Sequence, residues 1–289
     1  MNYVLHLCIM IGIYLILVYS LNLVLGFCGL LSLCHAAFYG IGAYTYTLLV
    51  MNYEIPFLLA LFLTVCITGI FAFLISIPGL KFRGDPFVLV TLGFQIIIFS
   101  VLYNWISLTR GPYGIPGIPR PEIFGLKIDS IYEYFCFVLC VLVVVLVFLG
   151  ILYRSPFGLA LKSLREDEKA AESLGKSAYH HFLWAFTIGG AIAGIAGALY
   201  ASYITYIDPT SFTLDESIFQ VVILLVGGAG NLIGPTLGTI FMILLPESLR
   251  FLGLPDTVAA NVRQIIYGGI LILLMYFRPQ GIKGDFKIR

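Results

Sequence analysis

What most constrains this chain is a series of apolar stretches, at roughly 3–25, 57–77, 87–104, 131–153, 182–206 and 264–277, separated by short polar or glycine-bearing segments. A helix needs ~20 apolar residues to cross a hydrocarbon layer ~30 Å thick, and these stretches are of that order. Two more, 30–51 and 217–246, are less regular. With 60% hydrophobic and 11% charged residues and a mean hydropathy of +1.02, the chain has too few polar side chains to cover a soluble globule of its size. The expected fold class is all-α: a polytopic integral membrane protein of about eight apolar segments, forming one domain over 1–289. The first stretch lacks a basic n-region and a small-residue cleavage site, so it is expected to remain as a span.

The segment 217–246 is too long for one straight crossing and carries Gly227, Gly228, Gly230, Gly234 and Pro235 in its middle. It is expected to descend, break and return to the side it came from. Lys81, Arg83, the loop 154–181 and the C-terminal tail then share one side and eleven of the 16 basic residues, leaving five for the other. The positive-inside rule puts that richer side in the cytoplasm. The C-terminus is therefore expected inside and the N-terminus outside. Gly26 and Gly29 interrupt the first apolar run as Gly227 and Gly230 interrupt the later one. Broken or re-entrant helices are thus expected near 26–44 and 217–246, as an internal repeat or as two unrelated glycine pairs.

Backbone groups freed at a break cannot face lipid; they are buried in protein or line a wet cavity. The breaks therefore give a candidate substrate path: Gly29, Ser32 and His35 at the first, Gly227, Gly228, Gly230 and Asn231 at the second, with Thr91 and Gln95 one helical turn apart as a further polar spot. Helix ends there suit a zwitterion. The competing reading is close helix packing for the glycines, a packed neutral ring for His35, and helix-to-helix bonds for Thr91 and Gln95. No Asp, Glu, Lys or Arg falls in the central parts of the spans, with Glu133, Glu216 and Arg263 read as interfacial. That weighs against an ion-coupled carrier.

No phosphate-binding loop, nucleophile elbow or zinc-protease motif occurs, so no enzyme activity and no bound cofactor are expected of this chain. A net charge of +1 gives no field for nucleic acid. The six cysteines lie in or beside apolar runs without metal-ligand spacing and read as packing residues. The loop 105–130 carries Pro112, Pro116, Pro119 and Pro121 and is expected to be stiff and extracytoplasmic.

The one long hydrophilic helix is 154–176, RSPFGLALKSLREDEKAAESLGK, entered at Ser155 and Pro156 and left at Gly175. Leu161, Leu164, Ala171 and Leu174 form an apolar stripe, and Lys162 with Glu166 and Glu172 with Lys176 are spaced as i,i+4 pairs. Five basic and four acidic residues do not make a lipid-binding face. The stripe suits a groove on a partner protein, or a helix lying at the interface.

Five motifs, SLCHAAFYGIGAY at 32–44, TRGPYGIP at 109–116, SLREDEKAAESLG at 163–175, LVGGAGNLIGPTLG at 225–238 and FRPQG at 277–281, occur in this order over nearly the whole chain. On them the sequence resembles the permease subunits of branched-chain amino-acid ABC importers, and it is also similar to the urea and amide permeases of that family. The resemblance implies a bacterial inner-membrane subunit that works with a homologous second permease, two cytoplasmic ATPases carrying ATP and magnesium, and an extracytoplasmic solute-binding protein. It implies that 154–181 is the ATPase-docking loop, with Leu164, Arg165, Glu166, Glu168, Ala170, Ala171, Leu174 and Gly175 as docking residues. Lys169 stands where the general importer pattern EAAxxxG has its acidic residue. A channel, a secondary carrier and a purely structural subunit are the rival classes.

Overall fold

The structure, a computed structural model, describes residues 2–82, 84–123, 126–250, 268–269 and 281–283. Its helices in chain order are α1 (Asn2–Asn22, continued by a π-helical turn Leu23–Phe27), α2 (His35–Tyr53), α3 (Phe57–Gly79), α4 (Asp85–Asn104), the single turn α5 (Ile106–Thr109), α6 (Ile131–Arg154), α7 (Pro156–Glu166), α8 (Glu168–Ser173), α9 (Ala178–Ile204), α10 (Leu214–Gly227) and α11 (Ile233–Arg250). Five of them, Asn2–Phe27, Phe57–Gly79, Asp85–Asn104, Ile131–Arg154 and Ala178–Ile204, are long and apolar enough to cross a membrane. The stretch expected at 264–277 lies outside the described residues except for 268–269.

Local sequence sets the helix ends. Ser130 and Glu133 form a reciprocal cap at the start of α6, the Ser130 oxygen accepting from the Tyr132 amide at 3.3 Å and the Glu133 carboxylate from the Ser130 amide at 3.2 Å. Ser155 caps α7 by accepting from the Gly158 amide at 3.3 Å, with Pro156 as first helical residue. The helix expected from 155 to 175 is two helices. Asp167 is extended at φ −148° and its carboxylate takes the Ala170 amide at 3.0 Å, so the polar run restarts as α8.

The centre of the bundle is α9, flanked by α2 running in the same direction and α3 running opposite. Small residues make this packing: a Cβ on Gly42 would stand 2.5 Å from the Gly194 backbone, and one on Gly197 would stand 2.2 Å from the Tyr39 carbonyl. The two backbones are in contact, as polar-poor helix pairs in lipid favour. By contrast α3, α4 and α6 present Phe62, Leu74, Leu89, Ile97, Val144 and Ile151 outward, the expected address for lipid. Because α3 runs antiparallel to α9, its Gly79 end lies with α7 and α8.

At the opposite end the proline-bearing loop is strapped down. Strand β1 (Ile115–Pro116) pairs antiparallel with β4 (Tyr206–Ile207), and the amides of Gly117 and Ile118 both donate to the Thr205 carbonyl. A second two-residue ribbon joins β2 (Glu122–Ile123) to β3 (Leu126–Lys127). A 3₁₀ turn at Pro209–Phe212 then carries the chain inward to α10.

Candidate functional site

The two breaks foreseen in the sequence meet each other. The first follows the π-helical turn that ends α1; the second, 228–232, separates α10 from α11. Asn22, fully buried, bridges them: its Nδ2 donates to the Asn231 carbonyl at 2.8 Å and its Oδ1 accepts from the Gly230 amide at 3.0 Å. Gly26 lies so close that an added Cβ would reach the Gly230 amide at 2.6 Å. The Tyr19 hydroxyl donates to the Leu232 carbonyl at 3.0 Å and lies 2.6 Å from Thr236 Oγ1. Asn231 caps α11 through Gly234 at 2.7 Å and donates to the Lys283 carbonyl at 2.6 Å. The amides of Ile282 and Lys283 in turn bond the carbonyls of Val226 and Gly227. The freed backbone of the second break is thus satisfied by α1 and by the C-terminal segment.

The same junction touches α7. The Arg165 guanidinium, its side chain only 7% exposed, donates to the Gly26 carbonyl and pairs with Glu166 at 2.6 Å. Its stem lies against Gly29. Lys162 stands over the Phe27 ring at 5.1 Å rather than reaching toward Glu166, and Phe27 stacks on Tyr153 with centroids 3.7 Å apart. The apolar stripe expected to face a partner is largely spent inside the chain: Leu161, Leu164 and Ala171 are buried against it, whereas Leu174 is 82% exposed. Glu166, Ala170, Gly175 and the neighbouring Leu159 and Lys169 are exposed, and Glu168 is half-buried. The outward surface of α7 and α8 is therefore made of mixed charges with two protruding leucines.

Halfway along the bundle a second polar group gathers around Gln95, itself midway along α4. Its Oε1 accepts from the Ala37 amide at 2.8 Å and from the Ser217 hydroxyl at 3.2 Å, and its Nε2 donates to the Phe212 carbonyl at 2.9 Å. Thr91 takes the Leu33 amide at 3.1 Å and Ser217 takes the Ala36 amide at 2.9 Å. These side chains occupy the amides at the start of α2. Ser32 sits beside Cys34 at 3.3 Å, and the fully buried His35 ring has neither nitrogen in a formed hydrogen bond, lying edge-on to Phe38 near the Ser20 carbonyl. Gly29, Gly227, Gly228, Gly230 and Asn231 belong to the junction; Ser32, His35, Thr91 and Gln95 belong to this middle layer.

Glu216, read from sequence as interfacial, stands in that middle layer. It adjoins Ser217, accepts from Gln220 Nε2 at 3.3 Å and is hydrogen-bonded by Tyr14, which lies at the midpoint of the first span. Asn22, Tyr14, Tyr39 and Gln220 were not singled out in the sequence, and Glu216 was named only as an interfacial charge. Among the described residues no group of three or more His, Cys, Asp or Glu is placed to hold a metal ion, and no cysteine is in a disulfide.

The family described as branched-chain amino acid transport system / permease component matches residues 3–275. The high-affinity branched-chain amino acid transport system permease protein LivM of Salmonella typhimurium is 36% identical over 93% of this chain and 67% of its own length, and LivM of Escherichia coli is the same on all three measures. The permease protein BraD of Pseudomonas aeruginosa is 26% identical over 94% of this chain and 91% of its own. No solved structure matches. Members of this family are permease subunits of ABC transporters rather than enzymes, and the five apolar spans agree with a multi-pass membrane protein. With a match from near the first residue to residue 275 and motifs lying where the two helix breaks and the α7–α8 arm are built, this chain belongs to the branched-chain amino acid permease family.

Proposed function

We propose that this chain is the membrane-spanning subunit of an ATP-driven importer that passes branched-chain amino acids, delivered by an extracytoplasmic binding protein, through a path formed with a homologous second permease. It binds no nucleotide itself; ATP and magnesium act on two cytoplasmic ATPases seated against α7 and α8. The chain is one transmembrane permease domain, with the α7 end and C-terminus in the cytoplasm, the N-terminus outside, and 105–130 facing the binding protein. The branched-chain amino acid transport named for the relatives at 36% identity supports this cargo.

The observation that carries the reading is the connection from arm to breaks. Movement of α7 is transmitted by Arg165 to the Gly26 carbonyl, from there through Asn22 to Gly230 and Asn231, and on to the short helices α10 and α11. A broken helix pair has two loose ends that rotate without unravelling a full span, which suits alternating access. The ATPases shift the equilibrium only to the extent that they bind the two conformations with different affinity.

The test is reconstitution of the complete transporter in proteoliposomes with its binding protein and labelled leucine. Concentrative uptake that requires ATP is expected. Accumulation without nucleotide, by this chain alone, overturns the reading in favour of a channel or carrier; uptake of urea or acetamide with no uptake of leucine overturns the assigned cargo.

A further inference from the structure

The Glu216 cluster is left without a role by the arm-to-break connection. Glu216 is half-buried, one turn from Gln220, which is fully buried. Two buried polar atoms in this region have no hydrogen-bond partner: Oε1 of Gln220, the residue that bonds Glu216, and the hydroxyl of Tyr39 on the neighbouring helix α2. Tyr39 is 1% exposed, its ring 5.4 Å from that of Tyr200 and 5.1 Å from that of Phe212, one turn along α2 from the Ala36 amide that bonds Ser217 of α10. Buried polar atoms are almost always satisfied by protein or ordered water, and an orphan in a native fold calls for a partner: a water, an ion or a solute.

The chemistry of these atoms is one-sided. Glu216 contributes a carboxylate, Gln220 a free carbonyl oxygen and Tyr39 a phenolic oxygen with open lone pairs, three acceptors on the neighbouring helices α10 and α2, which the Ala36–Ser217 bond joins one turn away. The rings add negative faces: Tyr39 with Tyr200 at 5.4 Å between centroids, and Tyr14 with Phe219 at 6.0 Å. Donors that would suit an anion are already used, since the Leu33 amide ahead of α2 is held by Thr91 and the Ala36 and Ala37 amides in its first turn by Ser217 and Gln95. A primary ammonium, with three N–H donors and one positive charge, matches this set; a neutral amide leaves the carboxylate uncompensated.

We infer that Glu216, Gln220 and Tyr39 form a half-depth station for the primary ammonium of the transported solute, so that this permease itself selects amino-acid zwitterions. The inference rests on the proposed transport function and adds to it a site on this chain. On this arrangement the cargo exchanges the binding protein's acceptors for those of Glu216 and its neighbours before release.

The experiment uses the complete transporter in proteoliposomes with saturating binding protein and labelled leucine, with assembly verified by co-purification of all subunits. Glu216→Gln is expected to lower leucine uptake about tenfold or more, the scale of one lost charge-assisted hydrogen bond, and Glu216→Asp to restore part of it. Uptake by Glu216→Gln within about twofold of the unaltered transporter overturns the inference while leaving the transport function standing. Absence of leucine uptake by the unaltered transporter removes the function and the station together. If Glu216→Gln does not assemble, Gln220→Met decides: a loss supports the station, and unchanged uptake overturns it.

Discussion

Replacing Asn22 with leucine removes the polar atoms that join the two helix breaks while keeping the branching and heavy-atom count of the side chain. The structure shows what is lost: one bond to the Asn231 carbonyl at 2.8 Å and one from the Gly230 amide at 3.0 Å, across 209 and 208 residues of sequence. Interhelical hydrogen bonds in membrane proteins are worth roughly 0.6–1.7 kcal/mol each, because the unfolded chain in lipid also finds partners. Two such bonds put the loss at about 1–3 kcal/mol, or about 5- to 150-fold in the folded-to-unfolded ratio. The Gly230 amide stays buried at the junction without its acceptor, which favours the upper part of that range. Equilibrium unfolding in mixed micelles of increasing SDS measures the difference directly. Asn22→Leu unfolding at the same SDS fraction as the unaltered chain refutes the reasoning that this clamp holds the breaks together.

Two further outcomes follow from neighbouring geometry. Arg165→Ala removes the bond to the Gly26 carbonyl, the packing on Gly29 and the ion pair with the exposed Glu166; ATP-driven uptake is expected to fall about tenfold or more while the ATPases still co-purify, and undiminished uptake removes this link from the transmission path. Gly197→Val drives a side chain into the Tyr39 carbonyl 2.2 Å away, where backbone cannot yield, and is expected to cost about 3 kcal/mol or more. A collapsed monodisperse yield in size-exclusion chromatography is the expected readout, against no change for Gly150→Ala, whose added methyl meets nothing within 4 Å.

Much of the fold was legible in the sequence because hydropathy and helix length answer to the same 30 Å constraint. The breaks announced themselves through glycines joined to Asn231 and Pro235, and both lie where the chain predicts. Other features were hidden for definite reasons. Leu161 and Leu164 make the same stripe whether it faces a partner or the chain's own π-helical turn, and only the packing shows the latter. Asp167 is one acid among several until its carboxylate is seen capping α8. Asn22 looks like an isolated blemish in an apolar run, since its partners are some two hundred residues away. Glu216 follows a polar segment that reads as surface, but Ile207, Asp208 and the 3₁₀ turn Pro209–Phe212, rising ~2 Å per residue, carry the chain inward to α10. A short connection therefore takes a carboxylate to half-depth that a linear plot leaves at the rim.

The ribbon between β1 and β4 has a consequence for how a load at one end travels. Pro116 is fastened to Tyr206, and only seven residues separate Tyr206 from Leu214, where α10 begins. That tether is short, carries Pro209, and is pinned midway because Asp208 accepts from the Ser211 amide at 3.0 Å and Gln95 holds the Phe212 carbonyl. It has little slack to absorb a pull. A tug on the proline loop is thereby delivered to the head of the half-length helix that carries Glu216, so under the proposed function both ends of the bundle would act on the same central element, one as a drawstring and the other as a pushrod.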